Sequence, residues 1–163
     1  MQRVLEAAVR KGVTLEVIVF ADSTHTATDA ARALDAQLAQ IVKSLVFVTA
    51  REDGELEPIV CLVSGADRVD LERLAAVIGR RDVRRATARE ADELTGFSIG
   101  GIPPLGHPRP IAVFLDESLL GHDVVWAAAG LPDAVFSTAP EALARAAGAR
   151  IVAIAVRADP SGP

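Results

Sequence analysis

Lys43 lies in the run Ile41-Val42-Lys43-Ser44-Leu45-Val46-Phe47-Val48, where extended-strand alternation puts it on one face with Ile41, Leu45 and Phe47. A lysine among apolar neighbours has three open readings. It can be a strand-end residue that carries its ammonium out to water along an apolar stem. It can be an ammonium held at a pocket mouth to bind a carbonyl, carboxylate or phosphate. It can also be an amine of depressed pKa that forms a Schiff base. Periodicity does not choose among them.

A second concentration of chemistry is Gly96-Phe97-Ser98-Ile99-Gly100-Gly101-Ile102-Pro103-Pro104-Leu105-Gly106-His107. Glycines let a backbone approach a ligand closely, and the paired prolines stiffen the turn. Such a loop either simply connects a helix to a strand or presents preorganised backbone groups to an oxyanion or an attacking water. It lacks Gly-Lys-Ser/Thr, so it is not a phosphate-binding Walker loop, and it is not a dinucleotide fingerprint.

Other chemistry is thin. His25, His107 and His122 have no metal-ligand spacing among themselves, and neither a metal nor a cofactor is expected. Ser98 has no nucleophile-elbow context, which disfavours a Ser-His-Asp hydrolase. Cys61 sits in an apolar run and reads as core. Between Gly79 and Glu90, Arg80, Arg81, Arg84, Arg85 and Arg89 meet only Asp82, so this stretch is locally basic. It is either a solvated face or a weak contact for RNA phosphates, through Arg80, Arg81, Arg84 and Arg85.

The elements that must position these residues follow from pattern. Helices are expected from Met1 to Lys11, from a Thr26-Asp29 cap to about Ala39, from Asp70 to Ile78, and after capping-box spacings at Thr87-Glu90 and Thr138-Glu141. Strands are expected at Leu15–Phe20, Ile41–Thr49, Pro58–Ser64, Asp82–Ala86, Ile111–Leu115, Val124–Ala128, Ala134–Ser137 and Arg150–Val156. The order does not alternate as in a doubly wound sheet. The fold class is therefore α+β, a single domain over residues 1–157 with a mixed curved β-sheet or small barrel surrounded by helices, and a disordered tail at 158–163.

Composition bounds the rest. The chain has 163 residues, of which 50% are hydrophobic, enough for one core without disulfides or a structural metal. One cysteine excludes an intramolecular disulfide and suits a reducing compartment. No apolar run approaches membrane-spanning length and no signal pattern opens the chain, so a cytoplasmic protein is expected. A net charge of −5, with 4% aromatic residues and no tyrosine, argues against nonspecific coating of nucleic acid and against stacking platforms; DNA is not an expected partner.

Gln40-Ile41-Val42-Lys43-Ser44-Leu45-Val46-Phe47 followed by a hairpin, then Gly100-Gly101-Ile102-Pro103-Pro104-Leu105-Gly106, resemble the lysine strand and GxxxP loop of the YbaK/EbsC family. That family shares its domain with the editing insertion of bacterial prolyl-tRNA synthetases. The closing Val124–Gly130, Ala134–Ser137, Pro140–Leu143 and Ile151 onward match the family's last elements, so the resemblance runs from about Val4 to Val156. It implies trans-editing: hydrolysis of the ester of a mischarged aminoacyl-tRNA, a tRNA(Pro) species, without metal or covalent enzyme intermediate. The alternative is a noncatalytic module that binds an aminoacyl-tRNA or small metabolite and docks on a synthetase. By the same resemblance Lys43 would engage the aminoacyl end and terminal adenosine. Gly100 and Gly101 would position the ester carbonyl or attacking group. Phe20, His25, Phe47, Ile102, Pro104 and His107 are the candidate substrate-binding residues. The partner is the 3′ end of an aminoacyl-tRNA, with a synthetase as a candidate second partner. Ile102-Pro103 and His107 depart from the cysteine-specific members, which leaves the amino acid open.

Overall fold

The computed structural model describes residues 1–22 and 26–158. Helix α1, Gln2–Arg10, buries Val4 and Ala8 completely on one stripe. Helix α2, Ala27–Leu34, opens on Thr26, whose hydroxyl accepts the Asp29 amide at 3.0 Å. The expected continuation to Ala39 does not form. Asp35 turns into the left-handed region at φ 51°, and a separate 3-10 turn follows at Leu38–Gln40. Helix α3, Leu71–Ile78, is capped by Asp70, which accepts the amides of Glu72 and Arg73 at 2.9 and 3.2 Å. Helix α4, Ala88–Thr95, has the reciprocal box, with Thr87 accepting the Glu90 amide at 3.1 Å and Glu90 accepting the Thr87 amide at 2.9 Å.

The third expected box fails for a physical reason. Thr138 is the last residue of a strand, paired with Val125, and the helix begins one residue too late for it, so Glu141 falls at the second helical position and not at the third, from which it could reach back to a threonine cap. Helix α5, Pro140–Ala147, starts instead at Ala139 with no side-chain cap and with proline at its first position, where no amide is missed.

The strands are β1 Glu16–Val19, β2 Val42–Ala50, β3 Leu56–Ser64, β4 Asp67–Val69, β5 Arg84–Arg85, β6 Ala112–Asp116, β7 Val125–Ala128, β8 Ala134–Thr138, β9 Arg150–Val152 and β10 Ala155–Arg157. A five-stranded mixed sheet has the order β5-β2-β3-β6-β9, with β2 and β3 an antiparallel hairpin and β6 and β9 added in parallel. A three-stranded antiparallel sheet has the order β1-β8-β7, and β4 pairs with β10. The ladders stay separate, joined between β2 and β7 by a parallel bridge from Ile41 to Trp126, so the molecule has curved sheets and not a closed barrel.

The expected strand Arg150–Val156 is two strands. The Asp116 carboxylate accepts the amides of Ile154 and Ala155, each at 2.9 Å, and bends the chain between β9 and β10. Strand β4 was not expected from the sequence. The expected tail is described only at Ala158, whose amide donates to the Ala66 carbonyl at 3.0 Å. Its remaining residues lie outside the described ones.

Central strand β3 is buried from Pro58 to Ser64, as a strand covered on both faces must be. Val42, Val46, Val48, Val60 and Leu62 point into the main core with α1, α5 and Phe136. Phe47, Ile59, Cys61 and Val63 point the other way, onto Leu74 of α3. Each fully buried side chain such as Leu62 contributes roughly 1.5–3 kcal/mol. No described helix is long and apolar enough to cross a membrane.

Candidate functional site

Strand β2 is paired along its inner edge from Val42 to Ala50, but on its outer edge β5 reaches only Phe47 and Val48. The pairing there ends with the Ala86 amide on the Val46 carbonyl at 2.9 Å. From Val46 back to Lys43 the outer edge has no ladder partner among the described residues, and at its start the bridge from Ile41 to Trp126 sets β7 beside it. A cleft of about 290 Å³ runs along it. Each residue from Val42 to Val46 borders the cleft, which is the pattern of an edge and not of a face. The opposite walls are Ala27 and Ala30 of α2, Trp126 to Ala128 of β7, the turn at Leu131-Pro132, and Ile99, Gly100 and Ile102 of the Gly/Pro loop.

Four polar features break this apolar lining. Lys43 pairs with Val63 and so stands on the α3 side of β2, where its ammonium donates to the Asp67 carbonyl. Its other two N–H donors have no partner among the described residues. Burial pulls the Lys43 pKa below the ordinary lysine value; Asp67 opposes that shift and Arg85 adds to it. Arg85 borders the same cleft with its guanidinium carbon 5.8 Å from the centre of the Phe47 ring, a cation–π distance. Ser44 faces the main core and its hydroxyl is buried without a partner. Gly100 has φ +97°, open space around it, and an amide with no hydrogen bond among the described residues.

The adjacent glycine has another task. The Gly101 amide donates to the Ser98 carbonyl at 3.0 Å, and a Cβ there would stand 3.2 Å from backbone atoms of Leu131 and Pro132. Gly101 therefore lets the loop close on the Leu131-Pro132 turn, while Gly100 presents backbone to the cleft. Ile102 is buried and lines the cleft from within the core. Pro104 is buried behind the loop and outside the lining. His107 Nε2 donates to the Pro103 carbonyl at 2.9 Å and its ring meets Phe97 edge-on at 6.3 Å, so it braces the loop away from the cleft lining. Burial pulls its pKa below the ordinary histidine value.

The remaining expected residues scatter. Phe47 is 3% exposed in the α3-side core. Phe20 stands at the end of β1, its amide on the Asp133 carbonyl at 2.7 Å. His25 lies outside the described residues. Arg80 is paired bidentately with Asp82 at 3.0 and 2.9 Å, and Arg84 with Glu90 at 2.8 Å twice. Arg81 is exposed and Arg85 is at the cleft, so the basic run does not form one free patch.

Sequence reasoning missed Ser44, Trp126 and the Leu131-Pro132 turn as lining. It also missed a polar brace behind Lys43. The Ser118 hydroxyl lies 2.5 Å from Asp116 Oδ2 and 3.2 Å from Asp67 Oδ2, its proton within reach of both carboxylates. Buried Asp116 thus anchors, through Ser118, the residue whose carbonyl holds the lysine. The one available signal was an aspartate, Asp116, closing the apolar run Ile111–Leu115. Among the described residues no cluster of three or more His, Cys, Asp or Glu side chains could hold a metal ion.

Residues 21–146 match the family model described as "Aminoacyl-tRNA editing domain". The chain is 30% identical over 97 residues to the proline–tRNA ligase of Limosilactobacillus fermentum, covering 60% of this chain and 17% of the ligase. It spans about a fifth or less of the length of the first proline–tRNA ligases it matches. It is 26% identical over 118 residues to the Enterococcus faecalis protein named "Putative Cys-tRNA(Pro)/Cys-tRNA(Cys) deacylase EbsC", covering 72% of this chain and 70% of that one. A solved structure described as "a putative trans-editing enzyme for prolyl tRNA synthetase" is 44% identical, with a TM-score of 0.83 and 94% of each chain covered. Since one family model spans most of the sequence and that structure shares the fold almost end to end, this chain belongs to the aminoacyl-tRNA editing domain family.

Proposed function

We propose that the protein is a translation-fidelity enzyme of the cytoplasm, a deacylase that hydrolyses in trans the ester of a mischarged aminoacyl-tRNA, with a tRNA(Pro) species as substrate. The observation that carries this reading is one small apolar cleft bordered by two cations, Lys43 and Arg85, and by the unpaired Gly100 amide. A volume of about 290 Å³ lies at the small end of ligand pockets, which suits an amino-acid side chain and the ester next to it. The names of the Enterococcus protein and of the 44%-identical structure point the same way.

Such an activity answers a physical limit. A synthetase pocket separates side chains that differ by a methylene by only about 1–3 kcal/mol, so a second sieve is needed. In the reaction, water, which a hydroxyl of the substrate can orient, adds to the acyl carbon and the ester C–O bond breaks. The ribose oxygen takes a proton and the amino acid leaves. Negative charge grows on the acyl oxygen, where a preorganised amide such as Gly100 N–H is worth most. Lys43 and Arg85 would hold the terminal nucleotide and its phosphate, with Arg85 suited to a bidentate contact.

The test is a panel of mischarged tRNAs, Ala-tRNA(Pro) and Cys-tRNA(Pro) among them, incubated with the protein and with Lys43→Ala. Hydrolysis of one member is expected, falling about a hundredfold or more in Lys43→Ala while the fold is retained. Survival of every ester at high protein concentration would overturn the hydrolase reading in favour of a noncatalytic binding module.

A further inference from the structure

The unpaired edge of β2 has a definite hydrogen-bonding parity. In an antiparallel strand the N–H and C=O of one residue point to the same side, and the side alternates along the chain. The Val46 carbonyl points outward, because it accepts the Ala86 amide at 2.9 Å. Ser44, two residues earlier, therefore also turns its N–H and C=O outward, whereas Lys43 and Leu45 turn theirs toward Val63 and Cys61 of β3. Neither outward group of Ser44 belongs to a ladder pairing among the described residues, and Ser44 borders the cleft while half-buried. A backbone donor and acceptor left open beside an apolar wall favour a ligand that completes both bonds.

An aminoacyl ester supplies the complement. Its α-amino group and acyl carbonyl are spaced as the N–H and C=O of one strand residue, the unit that exchanges two bonds with the residue opposite it in an antiparallel pair. We propose that the free edge of β2 at Ser44 is the recognition strand for the aminoacyl group: Ser44 N–H donates to the acyl carbonyl oxygen, and Ser44 C=O accepts from the α-amino group. The amine donates in either protonation state. The substrate side chain then lies on the Ser44 side of the strand, toward Ile102, Ala127 and Ala134, which line the cleft. That wall admits a small side chain, and the site reads the amino-acid backbone common to all substrates. The inference rests on the deacylase reading, and it adds a second amide at the acyl oxygen beside Gly100.

The edge geometry provides its own test. Proline at position 44 removes the N–H, yet that N–H makes no ladder bond, and proline is tolerated on strand edges. Binding of a hydrolysis-resistant probe, 3′-alanylamino-3′-deoxyadenosine, is measured by calorimetry and by the Ser44 amide in NMR. Ser44→Pro is expected to fold and to lose binding about tenfold or more, Ser44→Ala to bind as wild type, and the 3′-propionylamino counterpart of the probe, which lacks the α-amino group, to bind about tenfold weaker. Binding by Ser44→Pro equal to wild type overturns the proposal, and equal loss in Ser44→Ala assigns the contact to the hydroxyl instead. Should Ser44→Pro not fold, hydrogen exchange of the wild-type Ser44 amide decides: protection by the probe supports the edge contact and unchanged exchange overturns it. Probe binding with Ser44 protected, together with survival of every ester, leaves the edge contact standing while the hydrolase reading fails.

Discussion

Lys43 is held by a carbonyl and tuned by two side chains of opposite sign. Its burial and the neighbouring Arg85 of β5 both disfavour the ammonium, and the Asp67 carboxylate of β4 supports it. Replacing Asp67 with asparagine keeps the backbone carbonyl that accepts from Lys43 and nearly the same shape, but removes the supporting charge. The Lys43 pKa should then fall further, so the alkaline decline of kcat/KM should begin at lower pH in Asp67→Asn. A pH–rate profile beside a melting curve checks this, and an alkaline limb identical to wild type would show that Asp67 does not support the charge. Lys43 was legible because a charge in an apolar strand is rare in any sequence. Asp67 and Ser118 were not, since they stand 51 residues apart in ordinary polar stretches and meet only when β4 packs near β6.

At the scale of elements, the Gly/Pro loop is a braced unit: the Gly101 amide, the Pro103 carbonyl on His107, and the contact of Gly101 with the Leu131-Pro132 turn hold it in place. The two central glycines should respond differently to alanine. Gly101→Ala puts a methyl 3.2 Å from backbone that cannot rotate aside, so the loop or the turn must move, with a cost of about 1–3 kcal/mol and a melting point lower by several degrees. Gly100→Ala meets no atom, and its cost is the backbone strain of φ +97°, about 1–2 kcal/mol. Activity should fall in both, but per unit of lost stability it should fall more in Gly100→Ala, because only that amide opens on the cleft. Equal ratios of rate loss to stability loss would contradict this division. Helices α3 and α4 were legible from caps and stops, and β2 and β3 from apolar runs. The cleft was not, because periodicity reports which face of a strand a residue occupies and says nothing about which edge stays unpaired. Phe47 shares a face with Lys43 and still lies in the core, where β5 closes the edge beyond it.

The whole molecule couples these sites to pH through groups whose ionisation differs between folded and unfolded chains. Glu90, bonded to Arg84 and to the Thr87 amide, is held down to about 2 from an ordinary 4.5, so stability is lost as pH falls through that window. His107 acts with the same sign near its own range, because its buried ring resists the proton that the unfolded chain accepts. The alkaline side sets two groups against each other. Lys43 has a depressed pKa, so the unfolded chain binds the extra proton up to 10.5 and stability rises with pH there. Cys61, sealed in the α3-side core, is pushed up from 9.0 to about 12, so the unfolded chain loses the proton first and stability falls with pH across that interval. Where the windows overlap the slopes oppose each other, and above 10.5 the Cys61 loss continues alone toward 12. With no tyrosine in the chain, few other groups titrate in that range. Cys61→Ala should therefore lower the melting point by a nearly constant amount up to about pH 9 through the cavity it leaves, on the order of 1 kcal/mol. It should also remove the decline that the wild type shows above 10.5. Melting curves of both proteins between about pH 8 and pH 11.5 decide this, and parallel alkaline declines would show that the thiol is not the group responsible.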